Sequence, residues 1–203
     1  MPKQVDHEQR RTELAEALWR IAARDGLEAT TVRQVAAEAG VSVGRVQHYF
    51  STRDEMLLFA LRRVGDDLAA RLEREIGALP EPRDPYDVIA ITLRERLPLD
   101  RRRRVHVQAL VAWLGRGIAH PELTAYLTDG TRRLRTYLAG QVRLGQRAGR
   151  VARRADPGLA ADGLLALTDG LASHLLQGLH TREEVQAVLT DHLDRLFDRG
   201  RPA

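Results

Sequence analysis

Thr31-Val32-Arg33-Gln34-Val35-Ala36-Ala37-Glu38-Ala39-Gly40-Val41-Ser42-Val43-Gly44-Arg45-Val46-Gln47-His48-Tyr49-Phe50 is the stretch that decides the fold. Thr31 and Gln34 have the spacing of a capping box, in which each side chain satisfies a free backbone N–H of a helix start. The spacing predicts a short helix ending at Glu38. Gly40 can take the left-handed conformation that closes such a helix, which a Cβ resists. Ser42 then caps a second short helix. Two helices joined by a glycine-containing turn of about three to four residues form a helix-turn-helix. Val35, Ala36, Val41, Val46 and Phe50 can face inward, and Ala36 is small enough for the second helix to come close. Val43, Gly44, Arg45, Gln47, His48 and Tyr49 are left outward, a mixture of base-edge readers and phosphate donors.

Charge placement agrees with that face. No carboxylate stands between Glu38 and Asp54, whereas Arg45, His48 and Arg53 do. The formal net charge is only +4, and the N-terminal part as a whole is not basic. The positive potential is local to one face, which points to double-stranded DNA better than a basic average would.

Outward from this segment, helical periodicity continues almost without interruption and strand signals are nearly absent. Thr52 with Glu55 and Thr181 with Glu184 repeat the capping-box spacing. Asp84-Pro85 and Asp156-Pro157 place a capping Asp before a Pro at the first helical position. Pro80 and Pro82 end the helix that begins near Thr52. The pattern predicts an all-α protein with helices at roughly 7–24, 31–38, 42–48, 53–78, 85–96, 101–118, 121–148, 157–179 and 182–198. The first three are short and closely connected and the later ones are longer. This predicts a DNA-binding domain over 1–52 and a regulatory domain over 53–203, with the fourth helix running from one into the other.

The composition excludes several classes. The chain has 203 residues, 43% hydrophobic and 30% charged, as a globular protein does. No apolar run reaches the ~20 residues that cross a bilayer, and Met1 to Glu8 lacks the apolar stretch of a secretion signal. No membrane partner and a cytoplasmic location are expected. There is no cysteine, so disulfides, thiolate zinc sites and thiol redox sensing are excluded. His-Glu-x-x-His, glycine-rich phosphate loops and Gly-x-Ser-x-Gly do not occur. The seven histidines lack metal spacing, so neither an enzyme nor a metal or other cofactor is expected.

The segment Gly26 to Leu61 resembles the TetR family of repressors. The carrying motif here reads Gly40-Val41-Ser42-Val43-Gly44-Arg45-Val46-Gln47-His48-Tyr49-Phe50-Ser51-Thr52-Arg53-Asp54-Glu55-Met56. The resemblance implies that Val43, Gly44, Arg45 and Gln47 face base edges. It implies that Arg33 reaches a base or phosphate, and that His48, Tyr49 and Arg53 contact phosphate. Thr31 and Ser42, at the two helix starts, complete the expected DNA-binding set. Many relatives carry Tyr where Gln47 stands and Lys where Arg53 stands. Gln can pair bidentately with adenine, so the first departure changes the expected operator.

Stretches such as Arg147-Ala148-Gly149-Arg150-Val151, Asp156-Pro157 and Thr168-Asp169-Gly170-Leu171 resemble, more weakly, the subgroup of choline-responsive repressors. The family resemblance implies a homodimer formed by the last two helices, set on a near-palindromic operator with half-sites about 34–36 Å apart or a multiple of that. Leu167, Gly170, Leu171, His174, Leu175, Val185, Leu189, His192 and Leu196 are the expected interface. It implies a small-molecule effector site within 85–148. His106, Leu110, Trp113 and Leu114 fall on one helical face there, with Tyr86, Tyr126, Leu127, Tyr137 and Gln141 as candidate neighbours. The Arg101 to Arg104 run opposes its helix dipole and is expected to form a solvated, salt-bridged surface with Asp100 as cap. Two other readings stand beside the ligand-responsive repressor. One is a DNA-binding regulator with no small-molecule effector. The other is a helical ligand-binding protein with a vestigial helix-turn-helix.

Overall fold

The computed structural model describes residues 2–26, 29–117 and 121–199, with the side chains of 2–6, 109, 112–117 and 123 left aside. Among the described residues there are nine helices and no strand. They are α1 (Pro2–Asp25), α2 (Val32–Glu38), α3 (Val43–Tyr49), α4 (Arg53–Gly77), α5 (Pro85–Arg94), α6 (Arg101–Gly117), α7 (Pro121–Arg147), α8 (Pro157–Gln177) and α9 (Arg182–Leu196). The largest departure from the sequence expectation is the start of α1. It reaches back to Pro2, and a proline is well tolerated in a first turn whose N–H has no partner anyway.

The chain divides into two compact units. One comprises residues 1–69 and 109–113, the other 70–108 and 114–203. The division falls inside α4, beyond the break at residue 52 that helix lengths implied.

In the first unit α1 packs on α2 and α3. Leu14, Leu18 and Ile21 of α1 meet a core that also holds Val35, Ala36, Val46, Phe50, Met56, Leu57 and Leu61, all buried. The Trp19 indole N–H donates to the Ala60 carbonyl at 3.2 Å. The Arg11 guanidinium lies over the Phe50 and Phe59 rings, 4.7 and 4.4 Å from their centroids, and donates to Glu55 at 3.2 Å.

In the second unit α7 pairs with α8, and α5 packs on α7, α8 and α9. Ile89, Leu93, Leu97, Leu138, Val142, Leu164, Leu189 and Phe197 form the centre of its core. Gly145 permits a close approach there: a Cβ would stand 2.8 Å from Val151 and 3.0 Å from Phe197. Asp84, Asp156 and Thr181 cap α5, α8 and α9. Asp100 does the same for α6, accepting from the Arg103 backbone N–H at 2.8 Å.

Candidate nucleic-acid interface

Local chemistry builds the helix-turn-helix as its sequence implies. The Thr31 hydroxyl accepts from the Gln34 N–H, while the Gln34 side chain accepts from the Thr31 N–H, both at 3.2 Å. At the other end of α2, the Val41 N–H donates to the Ala36 carbonyl at 2.9 Å and the Gly40 N–H to Ala37 at 3.2 Å. This double closure turns the chain through Gly40, whose φ is +67°. Ser42 then accepts from the Arg45 N–H at 3.2 Å.

Val46 is fully buried and anchors α3 on the first unit's core. Gly44, Arg45, Gln47 and His48 are exposed, Val43 is 39% exposed and Tyr49 is half-buried. Arg33 is exposed on α2. The expected reading residues therefore share the outward side of α3, opposite its one buried anchor. Thr31 and Ser42 are exposed too, but their hydroxyls are committed as caps.

The acidic group nearest this segment is neutralised. Arg20 and Arg24 donate to Glu38 at 2.9 and 3.2 Å. The Arg20 hydrogen bond, with that of Arg24, holds the Glu38 carboxyl below its usual range. An open cleft of about 320 Å³ runs along α1 beside Glu38, Arg45 and Tyr49. The rim of the face also includes α1. The His7 and Tyr49 rings lie 4.8 Å apart, and the His48 ring stands 5.1 Å from Tyr49 and 6.3 Å from His7. Nothing in the sequence marks His7, because only the packing of α1 brings it to α3.

Arg53 is tied to the protein's own backbone. Its Nε donates to the Thr30 carbonyl at 2.7 Å, and a terminal N–H reaches the Thr30 hydroxyl at 3.3 Å. The guanidinium clamps the start of α4 to Thr30, two residues before α2. A planar fork can hold two oxygens of one residue in this way.

The expected effector residues differ in burial. Tyr86 is a core residue: its hydroxyl donates to Asp194 at 2.8 Å, its ring meets Phe197 edge-on at 5.5 Å, and Arg199 covers it at 3.6 Å. Tyr137 is 40% exposed. His106, Leu110, Tyr126, Leu127 and Gln141 are half-buried, and Leu110 belongs to the first unit. The side chains of Trp113 and Leu114 lie outside those described.

The residues of the expected interface also differ in burial. Leu171, Leu175, Val185 and Leu189 are buried in the unit's own core, so their area is unavailable to a second chain. Leu167 and Leu196 pack partly against that core. Gly170 and His192 are exposed, and the half-buried His174 ring lies 5.2 Å from that of His180. Leu159, 72% exposed, and Val188, 42% exposed, stand outward on α8 and α9.

Comparison with known proteins agrees with both parts of the chain. Residues 14–59 match the family described as bacterial regulatory proteins, tetR family, and residues 85–198 match the C-terminal part of BetI-type transcriptional repressors. The chain is 32% identical to the HTH-type transcriptional regulator PksA of Bacillus subtilis, over 97% of this chain and 94% of that one. A transcriptional regulator from Rhodococcus sp. Rha1 has a similar structure, with a TM-score of 0.79 and 32% identity over 93% of this chain and 96% of the other. A transcriptional regulator from Saccharomonospora viridis, solved in complex with choline, superposes with a TM-score of 0.84 at 25% identity, over 92% of this chain and 96% of the other.

Proposed function

Because the chain belongs to the TetR family of transcriptional regulators, which are DNA-binding proteins and not enzymes, we propose that it acts as a homodimeric repressor on a near-palindromic operator and leaves it when a small molecule binds. The carrying observation is the outward side of α3: Val43, Gly44, Arg45, Gln47 and His48 are exposed above a buried Val46. Arg45 and Gln47 read base edges in the major groove, Val43 and Gly44 allow close approach, and Arg33, His48 and Tyr49 hold phosphates. Arg53 serves that face indirectly, by fixing the loop before α2.

The second copy packs on α8 and α9. Leu159, Gly163, Ala166 and Gly170 recur at helical spacing on the exposed side of α8, and Val188 and His192 do so on α9. Small residues beside exposed apolar ones let two such pairs close into a four-helix bundle about a two-fold axis. The effector site lies along α6 and α7, near His106, Tyr126, Leu127 and Gln141. The choline-bound relative favours a small organic cation as the ligand class. No helix among the described residues is long and apolar enough to cross a membrane, and the protein works in the cytoplasm, where its DNA is.

The test is selection of duplexes from a randomised pool by the full-length chain, followed by sedimentation of the complex. A two-fold repeat bound by two chains, with affinity falling steeply as salt rises, is expected. Enrichment of no sequence would overturn the reading.

A further inference from the structure

We propose that His7, on α1, is a positioning residue for operator binding, acting through Tyr49. The inference rests on the assignment of α3 as the reading helix and adds to it a residue from a different helix. The His7 ring sits 4.8 Å from the Tyr49 ring, tilted by 55°, and 6.3 Å from the His48 ring. His48 also meets Tyr49, nearly edge-on, at 5.1 Å and 78°. The three rings thus form a triangular cluster, with both imidazoles against Tyr49. His48 is its neighbour on α3, so that contact moves with the helix and cannot fix the phenol relative to the rest of the unit. His7 can, because it belongs to α1, whose Leu14, Leu18 and Ile21 are rooted in the core.

The physical consequence is pre-organisation. A tyrosine at the edge of a DNA face must be ordered before its hydroxyl can meet a phosphate, and ordering one such side chain costs about as much as a threefold to tenfold loss of affinity. The tilted ring contact with His7 meets that cost in the free protein. His7 is itself exposed, so its replacement leaves the core untouched.

The experiment measures affinity of the full-length chain for a duplex that the wild type selects from a randomised pool. The same measurements are made on versions of that duplex with single base changes. H7A should bind about threefold to tenfold more weakly on all of these duplexes alike, with an unchanged thermal unfolding midpoint. H7F, which keeps an aromatic ring against Tyr49 and loses the imidazole nitrogens, should recover most of that affinity. In a Y49A background, H7A should cost nothing further. Wild-type affinity in H7A would overturn the proposal. So would H7F as weak as H7A, or a full H7A loss in the Y49A background, because either marks a direct contact to DNA. If Y49A alone binds as the wild type does, the assignment of Tyr49 to the DNA face fails, and this proposal fails with it.

Discussion

The carboxylate of Glu95, with 0% of its side chain exposed, accepts a 2.8 Å hydrogen bond from Nε of Arg71, itself only 11% exposed. Arg103 reaches the other oxygen of the same carboxylate. One buried anion therefore ties the last turns of α4, the end of α5 and the start of α6 within the second unit. Of the Arg101 to Arg104 run, Arg103 is drawn into an ion pair while Arg101, Arg102 and Arg104 are exposed. Removing one partner of a buried pair strands the other charge, which costs about 3–5 kcal/mol. Glu95→Ala should lower stability by about that much in urea unfolding. A loss below about 1 kcal/mol would show that the arginines find water instead.

Asp84 gathers Arg150 at 2.6 Å and Arg199 at 2.7 Å while accepting from the Tyr86 backbone N–H at 3.0 Å. Burial pushes its carboxyl up. The Arg150 and Tyr86 hydrogen bonds and the two guanidinium charges outweigh burial and hold the group below its ordinary value of 3.8. A group lowered in the folded state stabilises the fold above its unfolded pKa and loses that contribution as pH falls through the folded one. Asp84→Asn keeps a capping side chain but abolishes this titration. At neutral pH the variant should be about 1 kcal/mol less stable, a figure discounted for the partly exposed arginines. The gap to wild type should close as pH falls below 3.8. A gap that stays constant down the acid limb would mean that the loss is not ionic.

Arg53 offers a sharp distinction between charge and geometry. Its two hydrogen bonds to Thr30 need the guanidinium fork, which lysine cannot reproduce. Arg53→Lys should therefore weaken operator binding nearly as much as Arg53→Ala, with base preferences unchanged. If the lysine variant binds as the wild type does and keeps its salt dependence, Arg53 is a phosphate contact after all.

The parts of the molecule that were legible in the sequence are those fixed by neighbours along the chain. Thr31 with Gln34, the turn at Gly40 and the Ser42 cap each involve residues a few positions apart, and all form. Thr52 followed this only halfway. Its hydroxyl accepts from the Glu55 N–H at 3.0 Å, but the Glu55 side chain returns to the Ser51 N–H. The tie from Arg53 to Thr30 was not legible, because a guanidinium at a helix start looks the same in sequence whether or not it meets a carbonyl 23 residues away. On α8, leucine and small residues occupy almost every side, so no apolar phase could be read. Packing then assigned Leu164, Leu171 and Leu175 to the core and left Gly163, Ala166 and Gly170 outside. Tyr86 looked like a pocket aromatic until Asp194, 108 residues later, accepted its hydroxyl.

The reading of base edges falls to Arg45 and Gln47 of α3. The most direct measurement compares the wild type, Arg45→Ala and Gln47→Ala on a duplex set covering every single base change in the selected site. Each variant should lose preference at one base pair per half-site, by about 1–3 kcal/mol, and keep it elsewhere. Variants that bind more weakly but rank all the duplexes as the wild type does would contradict the account and move the reading face elsewhere.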